Sequence, residues 1–169
     1  MNLVESLLQT GEEIIKPWAK ESRRPEANRL DVVIHPQDLT AAVEALQKAH
    51  WGYLAAITGL DRPAPPTVDG EESQVEGHIE TLYSFCNGAA VLSLRLTVPY
   101  SNPVIATVCD LIPSATLGER EMMEMFGVII AGTPDTSRLI LADAWPEGVY
   151  PLRKSFTRTA SEVDELKGV

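Results

Sequence analysis

Cysteine is almost missing from this chain: Cys86 and Cys109 are the two present among 169 residues, and they form no Cys-x-x-Cys spacing. A disulfide scaffold, a zinc ribbon and an iron–sulfur cluster therefore lack their usual ligands here. The three histidines, His35, His50 and His78, fall singly on different segments without His-x3-His spacing, so no shared metal or acid/base site is expected among them. Basic charge is also short, 14 Lys and Arg against 24 Asp and Glu, and a net charge of -10 argues against nucleic acid or anionic lipid as the main partner. Long apolar runs are absent. The longest uncharged stretches, around Leu82 to Leu94 and Leu96 to Cys109, are broken by Asn-Gly, Pro99 and Pro103 and fall short of the roughly 18 to 20 apolar residues of a membrane span. The N-terminus lacks a basic segment followed by an apolar one, so no secretory signal is expected, and a cytoplasmic protein is. No Gly-x-Gly-x-x-Gly, no phosphate loop and no Gly-x-Ser-x-Gly elbow occurs, which leaves nucleotide binding and serine hydrolysis without their motifs.

What remains is ordinary globular material. Hydrophobic residues make up 44% and charged ones 22%, enough for one domain with a core of its own. Asn2 followed by Glu5 is a capping pair, and Leu3, Leu7, Ile14 and Trp18 recur at helical spacing, predicting a peripheral helix over about 2–20. Leu30 to Ile34 alternates as a strand. Pro36 then suits the start of a helix with the stripe Leu39, Ala42, Val43, Leu46. Tyr53 to Thr58 reads as another strand, and Asp61 to Gln74 as an acidic, proline-rich loop. Asn87-Gly88 between two alternating runs predicts a β-hairpin of type I′ or one register away, with Leu92, Leu94, Leu96 and Val98 on one face and Ser93, Arg95 and Thr97 on the other. Ser101-Asn102-Pro103 predicts a helix running to Pro113, and Ser114 to Phe126 a second one ended by Gly127. From Thr133 to Val169 the chain reads as an extended arm. The fold class expected is α+β: a single domain over 1–132 with a small mixed sheet and packed helices, and a C-terminal arm over 133–169 that docks.

Two constellations stand out. In the run Glu119-Arg120-Glu121-Met122-Met123-Glu124-Met125-Phe126, Arg120 and Glu124 form an i, i+4 pair, and Met122, Met123 and Phe126 an apolar stripe. Spacing fits both a solvated acidic helix face and an arginine network that anchors a partner or the chain's own tail. The run Trp145-Pro146-Glu147-Gly148-Val149-Tyr150-Pro151-Leu152-Arg153-Lys154 has the rigid backbone, aromatic area and cationic tips of a docking segment, though a surface loop has the same makeup. Each cysteine sits in an apolar run as a small hydrophobe would. A thiol or carboxylate enzyme built on Cys86 and Glu80 is the competing reading.

Taken in order, Glu119-Arg120-Glu121, Glu124-Met125-Phe126-Gly127, Gly132-x-Pro134-Asp135, Arg138-Leu139-Ile140, Trp145-Pro146 and Pro151-Leu152-Arg153-Lys154 resemble the small hydrophilic, thirty-kilodalton subunit of respiratory complex I, the NADH:quinone oxidoreductase. The same module is found in energy-converting, membrane-bound nickel–iron hydrogenases and formate hydrogenlyases. The chain departs from the complex I pattern at Leu117, Glu124, Thr133, Ser137 and Ser155, where that family usually has Trp, Asp, His, a basic residue and Asp. Its Trp145 to Lys154 ending leans toward the hydrogenase branch rather than the NADH:quinone one.

The resemblance implies a non-catalytic assembly subunit with no cofactor or metal of its own. Its partners would be a large catalytic subunit like that of nickel–iron hydrogenases and an iron–sulfur small subunit, which hold the nickel–iron centre or the clusters. The complex would lie on the cytoplasmic face of the inner membrane. It further implies that Trp145 and Tyr150 fill pockets and that Arg153 and Lys154 meet carboxylates, either around Glu119 to Glu124 or on the large subunit. A soluble binding module outside any membrane complex is a third reading.

Overall fold

Alternation and helical spacing place most elements, and tertiary pairing supplies the rest. The computed structural model describes residues 2–65 and 75–157. Helix α1, Leu3–Ile15, begins where the Asn2 Oδ1 accepts the Glu5 amide at 3.1 Å, which satisfies one of the orphan donors of the first turn. The helix is not peripheral. Leu8, Gly11 and Ile15 are its buried face, with Leu8 and Ile15 in the core, while Leu3 is 76% exposed. The buried row lies one residue away from the Leu3, Leu7, Ile14 row because α1 packs on the sheet and on the next helix together.

Strand β1, Glu21–Glu26, pairs antiparallel with β2, Arg29–Val33. Nothing in the sequence pattern announces β1: its six residues are all exposed, and Pro25 is tolerated because the strand lies at a sheet edge. A single 3-10 turn, Pro36–Asp38, leads into α2, Leu39–Lys48, which buries the expected stripe of Leu39, Ala42, Val43 and Leu46. Strands β3, Tyr53–Arg62, β4, His78–Asn87, and β5, Ala90–Pro99, follow. The expected loop thus starts beyond Arg62, and its residues 66–74 lie outside the described residues. The β4–β5 hairpin closes at Asn87 and Ala90, so Gly88 and Ala89 are the loop pair, one residue on from Asn-Gly. Gly88 alone of the two has positive φ, 57°, which rules out type I′, since that turn needs positive φ at both positions.

The sheet order is β1-β2-β5-β4-β3, with β2 and β5 parallel and the other neighbours antiparallel. Among the described residues, three helices beside a mixed sheet make an α+β domain. Leu30, Val32, Tyr83, Phe85, Leu92, Leu94, Leu96 and Val98 carry the core on the helix-covered face. The opposite face bears no helix among the described residues, yet Asp31 is 1% and Arg95 9% exposed there. An arginine–carboxylate ladder closes that face. Arg95 donates from Nη1 to Asp31 at 2.7 Å and from Nε to Glu80 at 2.7 Å, and Arg62 reaches Glu80 at 3.2 Å. Burial pushes the Glu80 carboxyl up, and the hydrogen bonds and charges of Arg95 and Arg62 outweigh it, holding it below the usual range.

The helix expected from Pro103 to Pro113 does not form. Val104–Ala106 is instead strand β6, parallel to β7, Ile129–Ala131, and residues 108–112 turn on the Val108 carbonyl. Pairing with a strand some 25 residues on, as the register gives, outweighs a cap-plus-proline signal that is purely local. Helix α3, Ala115–Phe126, lies between, and ends at Gly127 with φ 69° as expected.

Candidate functional site

Helix α3 gives its charged residues separate tasks. Its buried positions are Ala115, Glu119, Met122, Met125 and Phe126, so Glu119 falls inside the stripe that faces the sheet. The Glu119 side chain is fully buried. Its Oε1 accepts the Val108 amide at 2.7 Å, and its Oε2 accepts the Thr107 hydroxyl at 2.6 Å and the Cys109 thiol at 3.1 Å. Three donors thus hold a carboxylate that has no ion pair among the described residues, and they bind the turn after β6 to α3.

The i, i+4 pair of Arg120 and Glu124 is not made. Arg120 reaches outward to the arm: its Nη1 lies 3.1 Å from Asp135, its Nε donates to the Ser137 carbonyl at 2.9 Å, and its Nη2 donates to the Arg138 carbonyl at 2.7 Å. Glu124 accepts the amides of Leu139 at 2.6 Å, Ile140 at 2.8 Å and Leu141 at 3.4 Å. An exposed side-chain pair gains a few tenths of a kcal/mol, whereas an arm without secondary structure brings backbone groups that need partners. Of the two readings of this helix, the anchoring of the chain's own tail is the one observed, for residues 133–157; residues 158–169 lie outside the described residues.

The arm then fastens itself. Asp135 Oδ1 accepts the Ser137 amide and hydroxyl at 2.8 and 2.6 Å, and these bonds, with the Arg120 charge, hold its carboxyl below the usual range. Pro134 beside it is exposed. Arg138 donates to the carbonyls of Ala142 at 2.6 Å and Trp145 at 2.7 Å. Trp145 donates from Nε1 to the Val149 carbonyl at 2.8 Å and packs its ring on Phe156 at 5.9 Å. Pro151 is half-buried, and the Leu152 amide donates to the Met125 carbonyl at 3.1 Å while its side chain stays 52% exposed.

Arg153 does not meet the α3 carboxylates. Its guanidinium lies 4.7 Å from the Tyr100 ring centre and 4.8 Å from that of Tyr150, and its Nε donates to the Phe126 carbonyl at 2.7 Å. Tyr150 in turn closes on Gly127. Lys154 is held by its backbone: the amide donates to Asp61 Oδ2 at 2.7 Å, and its side chain makes no ion pair among the described residues. Asp61, buried on β3, also accepts the Tyr100 hydroxyl. Burial and that carboxylate push the Tyr100 phenol up to about 12, against the opposing charge of Arg153. The sequence pattern places Asp61 at the start of the acidic loop and gives Tyr100 no role, whereas Asp61 is the penultimate residue of β3 and binds both Tyr100 and the arm. The signal available was an acid that ends an otherwise uncharged run, Tyr53 to Leu60, just before Arg62.

Among the described residues no reactive constellation forms around the other candidates. Glu80 and Cys86 share a strand face but lie six residues apart, about 20 Å at ordinary strand rise, and Glu80 is taken by arginines. Burial, followed by Glu119, pushes the Cys109 thiol up, the direction opposite to an activated nucleophile. His35 precedes the 3-10 turn, His50 follows α2 and His78 begins β4, so the three lie apart along the fold. Among the described residues no group of three or more His, Cys, Asp or Glu side chains is placed to hold a metal ion.

Comparison with known proteins joins this geometry to a family. The family described as respiratory-chain NADH dehydrogenase, 30 Kd subunit, matches residues 32–162. The chain is 33% identical over 130 residues to formate hydrogenlyase subunit 5 of Escherichia coli, a match covering 75% of this chain and 21% of that protein. It is 30% identical over 137 residues to an NADH-quinone oxidoreductase subunit of a Roseiflexus species, covering 79% of this chain and 73% of that one. In fold it is similar to a chain in the structure of a membrane-bound sulfane sulfur reductase, an archaeal respiratory membrane complex, with a TM-score of 0.73, 21% identity, and coverage of 96% of this chain and 91% of that one. The chain thus spans about a fifth of the formate hydrogenlyase protein and most of the quinone oxidoreductase one. With the motif residues of α3 and the arm joined in one network and the family match running across both, the chain belongs to the family of the 30 kDa subunit of respiratory-chain NADH dehydrogenase.

Proposed function

We propose that this chain is a non-catalytic structural subunit of a complex-I-related, membrane-anchored redox complex, supporting a large catalytic subunit in electron transfer coupled to ion translocation. One observation carries the reading: the family's charged motif residues Glu119, Arg120, Glu124 and Arg138 are spent on fastening the arm and the turn before α3, and they converge on no reacting centre. The fastened arm displays Leu139, Ile140 and Leu152 as exposed apolar side chains beside α3. Those are suited to covering a partner. The nickel–iron centre or iron–sulfur clusters would belong to the large subunit and an iron–sulfur small subunit. Among the described residues no helix is long and apolar enough to cross a membrane, so attachment to the cytoplasmic face would run through those partners.

The hydrogenase and formate hydrogenlyase branch is favoured by the Trp145 to Lys154 segment and the match to the formate hydrogenlyase protein. The quinone-reducing alternative has its own support, since the chain covers 73% of the length of an NADH-quinone oxidoreductase subunit. A tagged chain extracted with mild detergent, with its co-purifying proteins identified by mass spectrometry, tests both. A large partner bearing Cys-x-x-Cys pairs near both ends supports the first branch, and one without them the second. Recovery of no such partner refutes the subunit reading.

A further inference from the structure

The two edges of the main sheet are built differently. Strand β1 reads Glu-Ser-Arg-Arg-Pro-Glu and is exposed throughout, and charge and proline are the usual guards against a second strand pairing there. The other edge is β3, which from Tyr53 to Leu60 reads Tyr-Leu-Ala-Ala-Ile-Thr-Gly-Leu, with no charge and no proline. Its register with β4 runs unbroken from Ala56 to Arg62. Among the described residues β4 is its sole strand neighbour, and no backbone–backbone hydrogen bond from outside the sheet reaches residues 53–60. Tyr53, 66% exposed, and Ala55, Ala56 and Thr58 lie open to solvent.

Beside this edge runs a groove of about 330 Å³ lined by Leu54, Ile57, Leu117, Gly118 and Glu121 among others. Leu117 is 57% exposed. Glu121 is the charged residue lining the groove, and it makes no hydrogen bond or ion pair among the described residues. A row of edge-strand N–H and C=O groups, a groove walled in part by the apolar side chains of Leu54, Ile57 and Leu117, and an unpaired carboxylate describe one kind of ligand.

We propose that the β3 edge accepts an extended segment of a partner subunit as an added strand, its alternate side chains apolar and facing the groove, with a Lys or Arg meeting Glu121. This rests on the subunit reading above and names the surface and the chemistry of what binds it. The full-length chain, alone and in its detergent-extracted complex, is compared by hydrogen exchange. Amides of residues 53–60 should gain about tenfold or more protection in the complex, as added strand pairing does. In parallel, Ala56→Lys with Thr58→Lys guards the edge from the helix-free face, and about tenfold less partner should be recovered at an unchanged melting temperature.

A wild-type chain that recovers no large partner refutes the subunit reading and this inference with it. A wild-type chain that recovers its partner, with no added protection at residues 53–60, refutes the edge alone, and this measurement decides the matter if the lysine variant misfolds. Undiminished recovery by a folded lysine variant refutes the edge as well. A dimer of the chain that the lysines dissolve would make a second copy the occupant and overturn the assignment to a partner.

Discussion

Replacing Gly127 with alanine tests whether the arm is a layer that can leave the domain. Gly127 ends α3 at φ 69°, where an alanine costs about 1–2 kcal/mol. A Cβ at this position would also lie 2.4 Å from both Cε2 and Cζ of Tyr150, closer than any stable contact. If the fold absorbs the clash, overpacking adds about 1–3 kcal/mol, for a total of about 2–5 kcal/mol. If Tyr150 swings away instead, the chain gives up its contact with Arg153 at 4.8 Å, which at a half-exposed site is about 1 kcal/mol.

The second route is the cheaper. Gly127→Ala should therefore lower the melting midpoint by about 2–8 °C, the left-handed cost alone at roughly 2–4 °C per kcal/mol for a domain of this size. It should also expose Arg153 and Lys154 to limited tryptic cleavage while the strands survive. Gly127→Asn separates the two effects, because asparagine tolerates the left-handed region but carries the same Cβ: its midpoint should recover and its cleavage should not. Unchanged cleavage together with a midpoint fall well beyond about 8 °C would show that arm and domain melt as one unit. No change in either would refute the clash.

Glu119→Ala leaves the Val108 amide and the Thr107 hydroxyl without their acceptor, about 1–3 kcal/mol each. Glu119→Gln keeps the shape and one acceptor oxygen and should cost less than half as much in urea unfolding; equal losses would exclude hydrogen bonding as the reason for this residue. Glu124→Ala releases the amides of Leu139, Ile140 and Leu141, so exchange in that segment should accelerate about tenfold while global stability moves by less than about 1 kcal/mol; unaltered exchange would remove Glu124 from the fastening. Because the folded Glu80 carboxyl lies below its unfolded value, its contribution is full above about pH 5 and fades as pH falls through about 4.3 and on through the folded value. Glu80→Gln should flatten the urea midpoint against pH between about pH 5 and 3, and a curve parallel to wild type would count against the Arg95–Glu80–Arg62 ladder.

Local chemistry alone determined a good part of this protein. The stripe of α2, the end of α3 at Gly127 and the hairpin at Gly88 are legible because each depends on neighbours a few residues away. The family was legible too, from linked motifs between Glu119 and Lys154 that match in order. Tertiary structure decided what no window of sequence contains. Strand β1 carries no apolar pattern and exists because β2 is beside it, and β6 replaces an expected helix because β7 returns parallel to it. Arg120 and Glu124 look like partners at four residues' distance and both turn to the arm, since exposed charges gain little from each other and unpaired backbone gains much from them. Glu119 and Glu121 are two residues apart, one sealed in the core and the other exposed beside a groove, because two helical residues turn their side chains about 200° apart and the sheet lies on one side alone.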